Sequence, residues 1–217
     1  MSSVIIAGNT SGTITLDAPN VAGTTTLTLP TTTDTLVGRT TTDTLTNKTL
    51  TSPVMAGTPT GVGVLTSGTS VASTSGTSID FTSIPSWVKR ITVMFSGVST
   101  NGTSLLLIQL GDSGGIENTN YLGRVSDVTV TSGFSSGFTL CSDNSAASIY
   151  HGQAILSLLN NASNLWVESS ILGRSDNANV YQGGGSKSLS DTLDRIRITT
   201  VNGTDTFDAG SINILFE

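Results

Sequence analysis

Apolar and polar residues alternate with a period of two over much of this chain. Ile91, Val93 and Phe95 interleave with Thr92, Met94 and Ser96, and Ile196 and Ile198 with Arg197 and Thr199. Val128 and Val130 alternate with Thr129 and Thr131, and Ile212, Ile214 and Phe216 close the chain in the same rhythm. Such alternation predicts strands with one buried face. Residues 105–110 are an apolar run broken by Gln109, which predicts a strand buried on both faces. Residues 154–159 and 165–172 flank Asn160-Asn161-Ala162-Ser163-Asn164, a polar interval suited to a hairpin loop. Asn202-Gly203 marks a further turn. One short helix is predicted over residues 188–194, capped by Ser190 or Asp191. Strands at this spacing predict a β-sandwich, jelly-roll-like, over residues 77–217.

The first third of the chain has a different pattern. Gly12-Thr13-Ile14-Thr15-Leu16-Asp17-Ala18-Pro19 is a short alternating strand closed by a proline, and Gly23-Thr24-Thr25-Thr26-Leu27-Thr28-Leu29-Pro30 repeats the scheme. Thr33-Asp34-Thr35-Leu36 then recurs nine residues later as Thr42-Asp43-Thr44-Leu45, each followed by a basic residue and Thr. One leucine per nine residues cannot fill a core within a single chain. Around a threefold axis three such leucines meet in a layer, as in a thin fibre shaft; the alternative is a flexible Thr-rich linker. Val62, Val64 and Leu65 are candidates for the start of the next domain. The expected division is an attachment segment over 1–38, a stalk or linker over 39–76 and a β head over 77–217.

Composition sharpens this contrast. Twenty of the first sixty residues are Thr, and no aromatic precedes Phe81. Aromatic side chains supply the largest apolar area per residue, so the N-terminal third lacks the means to close a core alone. Charged residues are only 11% of the chain and the net charge is −6. The nine Lys and Arg are scattered, with Lys89-Arg90 the only adjacent pair. Gripping a phosphate backbone needs clustered cations, so nucleic acid is not expected as a partner. No apolar run approaches the roughly 20 residues that span a bilayer, and the N-terminus lacks the charged region of a signal peptide. Membrane insertion is not expected, and assembly in a cytoplasm is.

Candidate chemistry is sparse. Gly111-Asp112-Ser113-Gly114-Gly115 has the letters of a serine-nucleophile turn, and His151 is the single histidine. No histidine precedes Ser113, which breaks the chymotrypsin-like order. The α/β-hydrolase order is available through Asp127 or Asp143, but that turn must open a helix. Residues 116–121 form none, so the motif is expected to be a polar turn and the chain no enzyme; a small serine esterase is the remote alternative. Cys141, the only cysteine, is expected to be a buried small hydrophobe. Asp191, Asp194, Asp205 and Asp208 do not match a calcium loop and are expected in turns and caps. No metal or other cofactor is expected. Trp87 and Trp166 sit in apolar stretches and are expected in the core. Tyr181, followed by Gln182 and a Gly-rich run, is expected in an exposed loop; with Gln182 and Tyr121 it forms the candidate contact surface for a partner.

Three stretches carry a family resemblance. Val4-Ile5-Ile6-Ala7-Gly8-Asn9-Thr10-Ser11-Gly12-Thr13-Ile14-Thr15-Leu16, with Ala18-Pro19, resembles the N-terminal segment of bacteriophage fibre and virion structural proteins. Thr42-Asp43-Thr44-Leu45-Thr46-Asn47-Lys48-Thr49-Leu50-Thr51-Ser52-Pro53 is similar to a segment recurrent in phage tail-fibre proteins. Ile84-Pro85-Ser86-Trp87-Val88-Lys89-Arg90-Ile91, with the run from Asp194 to Ile214, resembles a C-terminal domain joined to such segments. The resemblance implies an intertwined homotrimer on a phage particle. Its N-terminal segment would attach to other virion proteins of the tail or capsid. Its β head would contact host-surface polysaccharide or protein. A capsid head fibre or decoration protein is the alternative placement, and no catalytic residues carry over.

Overall fold

Period-two alternation is realised as strands in the computed structural model, which describes residues 3–7, 10–17, 65–127 and 131–217, with positions 24, 31, 49 and 51 between them. The chain divides into two units, Met1–Val54 and Met55–Glu217. In the first, β1 (Ser3–Ala7) and β2 (Thr13–Asp17) form an antiparallel hairpin with Ile5 opposite Thr15. Ile5 and Ile6 are 64% and 50% exposed. The second alternating segment, over 23–30, and the nine-residue repeat lie outside the described residues, as do Val62, Val64, Val128 and Val130.

The second unit is antiparallel β structure throughout its described strands. These are β3 (Thr66–Ser67), β4 (Val71–Ala72), β5 (Ser78–Phe81), β6 (Arg90–Thr100), β7 (Leu106–Asp112), β8 (Gly115–Ile116) and β9 (Leu122–Ser126). They continue with β10 (Thr131–Gly133), β11 (Phe138–Thr139), β12 (Tyr150–Asn160), β13 (Leu165–Arg174), β14 (Val180–Ser188), β15 (Arg195–Thr200) and β16 (Phe207–Phe216). A nine-stranded sheet runs β10-β9-β14-β13-β12-β6-β16, with β3 and β4 both paired to β16. A five-stranded sheet runs β11-β7-β15-β5, with β8 paired to β7. Thus residues 66–67 and 71–72, within the span expected as stalk or linker, are short strands of the large sheet.

The buried faces of both sheets join in one apolar cluster. Ile91, Val93 and Phe95 of β6, Ile196 and Ile198 of β15, and Ile212 and Ile214 of β16 all enter it, as their alternation predicts. In β7, Leu106, Ile108 and Leu110 face the cluster, and Leu107 is buried on the opposite face. The chain passes so close there that a Cβ on Gly137 would lie 2.6 Å from Leu107 Cδ1. The β12–β13 hairpin forms at the predicted loop.

Two expectations are corrected. Residues 188–194 form no helix. Leu189 and Leu193 are both buried, but from an irregular segment whose groups are bound elsewhere. The Leu189 N–H donates to the Asn164 carbonyl (3.1 Å), and the Ser190 N–H to Glu117 Oε1 (2.7 Å). These tertiary bonds outweigh a weak helical propensity. Trp87 lies in a turn before β6, is 39% exposed, and rests against Phe216 with ring centroids 5.8 Å apart. Pro85 puts a turn there: its carbonyl accepts from the Val88 N–H (3.0 Å), so Val88 is buried and Trp87 points outward. Trp166 is buried in β13, as expected.

Across β12, β6 and β16 the large sheet is bent by a row of glycines. Between Phe95 and Val98, β6 has two residues where β12 has only His151. Between Ser96 and Ser99 it has two residues where β16 has only Gly210. Gly97, Gly152 and Gly210 all have positive φ, at 66°, 141° and 91°. Such bulges bend a strand and increase its twist.

Candidate functional site

The residues singled out from sequence fall into two buried networks and one open surface. Tyr181 is in β14, not in a loop, and is fully buried. Tyr121, just before β9, is 1% exposed. Neither can act as an exposed contact tip. The reason is strand phase: Tyr181, Gly183, Gly185 and Lys187 share the inward face of β14, and the Gly-rich run is pairing strand. Gln182, one residue out of phase, is exposed on the outer face.

The first network closes one end of the β12–β13–β14 ribbon. The Tyr181 hydroxyl donates to Asp143 Oδ1 (2.5 Å), and Arg174 Nη1 donates to Asp143 Oδ2 (2.9 Å). Arg174 also pairs with Asp176, and its side chain is only 6% exposed. The guanidinium holds the Asp176 carboxyl down at about 2. The Tyr150 hydroxyl lies 3.0 Å from both the Asp143 carbonyl and Asn144 Oδ1. Burial is the largest cause of the upward shift in both tyrosine hydroxyls. Sequence-distant loops at 143–144 and 176–179 are thereby fixed to the strand ends.

The second network surrounds Tyr121. Its hydroxyl accepts from the buried Leu110 N–H (2.7 Å) and donates to the Glu117 carbonyl (3.0 Å). Lys187 Nζ lies 5.4 Å from the ring centroid and donates to Glu117 Oε2 (2.5 Å). Burial pushes the Glu117 carboxyl up, but Lys187 and Ser190 outweigh it and the net shift is downward. The Ser190 hydroxyl donates to Asp112 Oδ2 (2.7 Å), while Asp112 Oδ1 accepts from the Gly114 N–H (2.8 Å). The Ser190 bond is the main cause of the lowered Asp112 carboxyl. Removing one oxygen tests this network. Tyr121→Phe leaves the Leu110 N–H without its acceptor and should cost about 1–3 kcal/mol of stability, read from urea unfolding. A loss below a few tenths would mean that water reaches Leu110.

Ser113 sits in the turn joining β7 to β8, as expected for a polar turn, and Gly115 supplies a φ of 127°. His151 stands on the other sheet, where its Nδ1 accepts from the Gly97 N–H (3.2 Å) at the bulge. Cys141 is buried, and burial pushes its thiol up to about 11. Of the four aspartates, Asp191 and Asp194 bond their chain neighbours, while Asp205 and Asp208 tie the end of the chain to distant segments. Asp191 accepts from the Thr192 N–H (2.6 Å), Asp194 pairs with Arg195 (2.6 Å), Asp205 accepts from the Ser104 N–H (2.8 Å), and Asp208 bonds Ser99. Among the described residues, no group of three or more His, Cys, Asp or Glu side chains is placed to hold a metal ion. Among the same residues, no helix is long and apolar enough to cross a membrane.

Glu168 belongs to none of the motifs described above. It lies in β13 between Trp166 and Ser170 on the inward face, 4% exposed, and neither carboxylate oxygen has a hydrogen-bond partner. Its cross-strand neighbours are Leu156 and Gly185. Burial pushes its carboxyl up to about 7, opposed only by the nearby Ser170 hydroxyl, which does not reach hydrogen-bonding geometry. The signal was present in the sequence: Glu168 has the same parity as Trp166 and Leu172.

The two outer faces differ in character. That of the five-stranded sheet is charged: Arg197 grips Asp80 through two bonds of 2.7 Å, with Arg195 and Asp194 beside it. That of the nine-stranded sheet carries Thr, Ser, Gln, Met and Ile across its centre. Comparison with family models, with curated proteins and with solved structures finds no match to this chain.

Proposed function

We propose that this chain is a non-enzymatic fibre protein of a phage virion, a homotrimer anchored by its N-terminal segment and presenting the β unit for attachment to the host surface. The observation that carries this reading is the β1–β2 hairpin, which leaves Ile5 and Ile6 largely exposed in the single chain. The two side chains point to opposite faces of the hairpin, so both faces carry an exposed isoleucine, and in a segment without aromatics each calls for cover from another subunit or another virion protein. The Thr-rich repeat that follows supplies the shaft, and the second unit the head, with a jelly-roll-like sandwich as its finer description. Attachment through three identical heads gains avidity, because each later contact is effectively intramolecular. Assembly takes place in the host cytoplasm, and the mature location is the virion.

Light scattering on the full chain tests the reading. The expected mass is three times the 22.2 kDa of one chain. A monodisperse monomer overturns it. Labelling intact particles with an antibody to the β unit then places the fibre: signal at the tail is expected, and signal over the capsid faces replaces the tail fibre with a head fibre.

A further inference from the structure

Lysine is rarely buried, yet the Lys187 side chain is only 2% exposed. It leaves the inward face of β14, lies over the Tyr121 ring and places Nζ 2.5 Å from Glu117 Oε2. Glu117 directly follows β8, a strand of the other sheet. With a C–O bond of about 1.2 Å, Nζ stands roughly 3–3.5 Å from Glu117 Cδ, the separation of a near-attack pair.

Two further groups converge on this pair. The Ser190 N–H donates to Glu117 Oε1 (2.7 Å), the oxygen on which negative charge collects when Cδ is attacked. The Ser190 hydroxyl donates to Asp112 Oδ2 (2.7 Å) and so sets a second carboxyl, 3% exposed, beside the first. Glu117 is itself among the hydrogen-bonding groups that lower the Asp112 carboxyl, so the two side chains are within reach of each other. An amine, a carboxyl, an oxyanion donor and a proton carrier thus meet at one covered point.

We infer that Lys187 and Glu117 condense into an intramolecular amide, which joins the two sheets covalently. At rest they form an ion pair, and an ionised carboxylate resists attack. Within the short Nζ–Oε2 hydrogen bond one proton crosses to oxygen, giving an amine and a carboxylic acid; cover from water favours this neutral pair. The Nζ lone pair attacks Cδ, and the displaced C–O electron pair settles on Oε1, where the Ser190 N–H stabilises it. Asp112 takes a proton from Nζ and returns it to Oε2. The Cδ–Oε2 bond breaks, and Oε2 leaves as water with two of the three ammonium protons. The third stays on the amide nitrogen, and no oxidant or co-reactant is consumed. Glu117 is 22% exposed, which gives the water a way out. Reacting groups held in contact reach effective concentrations of about 10⁵–10⁸ M, which favours the amide over its hydrolysis. Lys89 Nζ also reaches a side-chain carbonyl, Asn161 Oδ1 (3.0 Å), but that contact is exposed and serves as an internal control.

Mass spectrometry of the denatured full chain tests the inference, and because the bond lies within one chain the result is independent of assembly. A mass one water below that of the sequence is expected. Peptide mapping should give one branched peptide that joins the segments carrying Glu117 and Lys187, with Lys89 free. Glu117→Ala and Lys187→Ala should both show the full sequence mass. Either change removes a buried partner, so Asp112→Asn is the second variant. Its amide still bonds Ser190, and circular dichroism checks that it folds. It is expected to lose water on the order of a hundredfold more slowly than the native chain. A purely structural role for Asp112 would leave that rate unchanged in a folded variant, and an unchanged rate overturns the role given to it. The full sequence mass in the folded native chain, persisting through prolonged incubation, overturns the inference and leaves an ordinary ion pair.

Discussion

Replacing Gly210 by Ala is expected to destabilise the protein by about 2–6 kcal/mol, a large loss for the addition of one methyl group. Two costs add. The backbone at Gly210 has a φ of 91°, outside the range that residues with a Cβ adopt without strain, at about 1–3 kcal/mol. The added Cβ would also stand 2.3 Å from the Gly97 carbonyl oxygen and 2.4 Å from its carbon. These are backbone atoms of the paired strand β6, so no side chain can rotate away. The sheet must shift, which costs a further ~1–3 kcal/mol. Gly203→Ala is the control. Its φ is 67°, but nothing lies within 4 Å of the added atom, so only the backbone cost of about 1–2 kcal/mol remains. Urea unfolding at one fixed protein concentration compares the two variants without interference from assembly. Equal losses at both positions would show that the bulge row relaxes freely and does not fix the bend of the sheet.

Glu168→Met is expected to act in the opposite direction, raising stability by an amount that grows with pH. Below the ordinary glutamate value of 4.5, the carboxyl is protonated in both the folded and unfolded chain, and its ionisation costs nothing. Between 4.5 and about 7 the unfolded chain has released its proton while the fold retains it. The folded state then binds more protons, so stability falls as pH rises through this window. Above about 7 the full penalty persists, at ~3 kcal/mol for a shift of this size. Methionine has no charge to bury and suits the neighbouring Leu156 and Trp166. The gain at pH 8 should therefore exceed the gain at pH 4.5 by about 3 kcal/mol. Other titrating groups cancel in the comparison, because they are the same in both proteins. A gain independent of pH between 4.5 and 8 would show that Glu168 is ionised and solvated throughout. Glu168→Gln should recover only part of the effect, since its amide would also lie buried without partners.

Both predictions concern features visible in the sequence but not interpretable there. Glu168 shares the parity of Trp166 and Leu172, which marks it as inward-facing. Parity alone does not say whether a partner waits across the sheet. Lys187 is also buried on an inward face, and it finds Glu117 from a loop 70 residues away. Gly97 interrupts the alternation of β6, which marks an irregularity, but its alignment with Gly152 and Gly210 needs the register of three strands. Tyr181 illustrates the opposite error. The glycines after it suggest a loop, yet they pair on both sides. A Cβ on Gly185 would stand 2.6 Å from the Leu122 carbonyl and 2.8 Å from Phe134, so this strand is glycine because a neighbour crosses it closely.

The amino-acid sequence by itself determined the all-β class, the strands β6, β7, β12, β13, β15 and β16, the hairpin between β12 and β13, and the buried faces of β6, β15 and β16. These are local properties: a period of two states which residues point the same way, and polar turn residues state where the chain reverses. Only the tertiary structure decided which strands are neighbours, that residues 66–67 and 71–72 join the large sheet, that 188–194 stay irregular, that Trp87 points outward, and that Tyr121, Tyr181 and Glu168 are covered. Burial of a side chain depends on what crosses over it, and here the covering atoms come from segments tens to more than a hundred residues away. No local pattern records that distance.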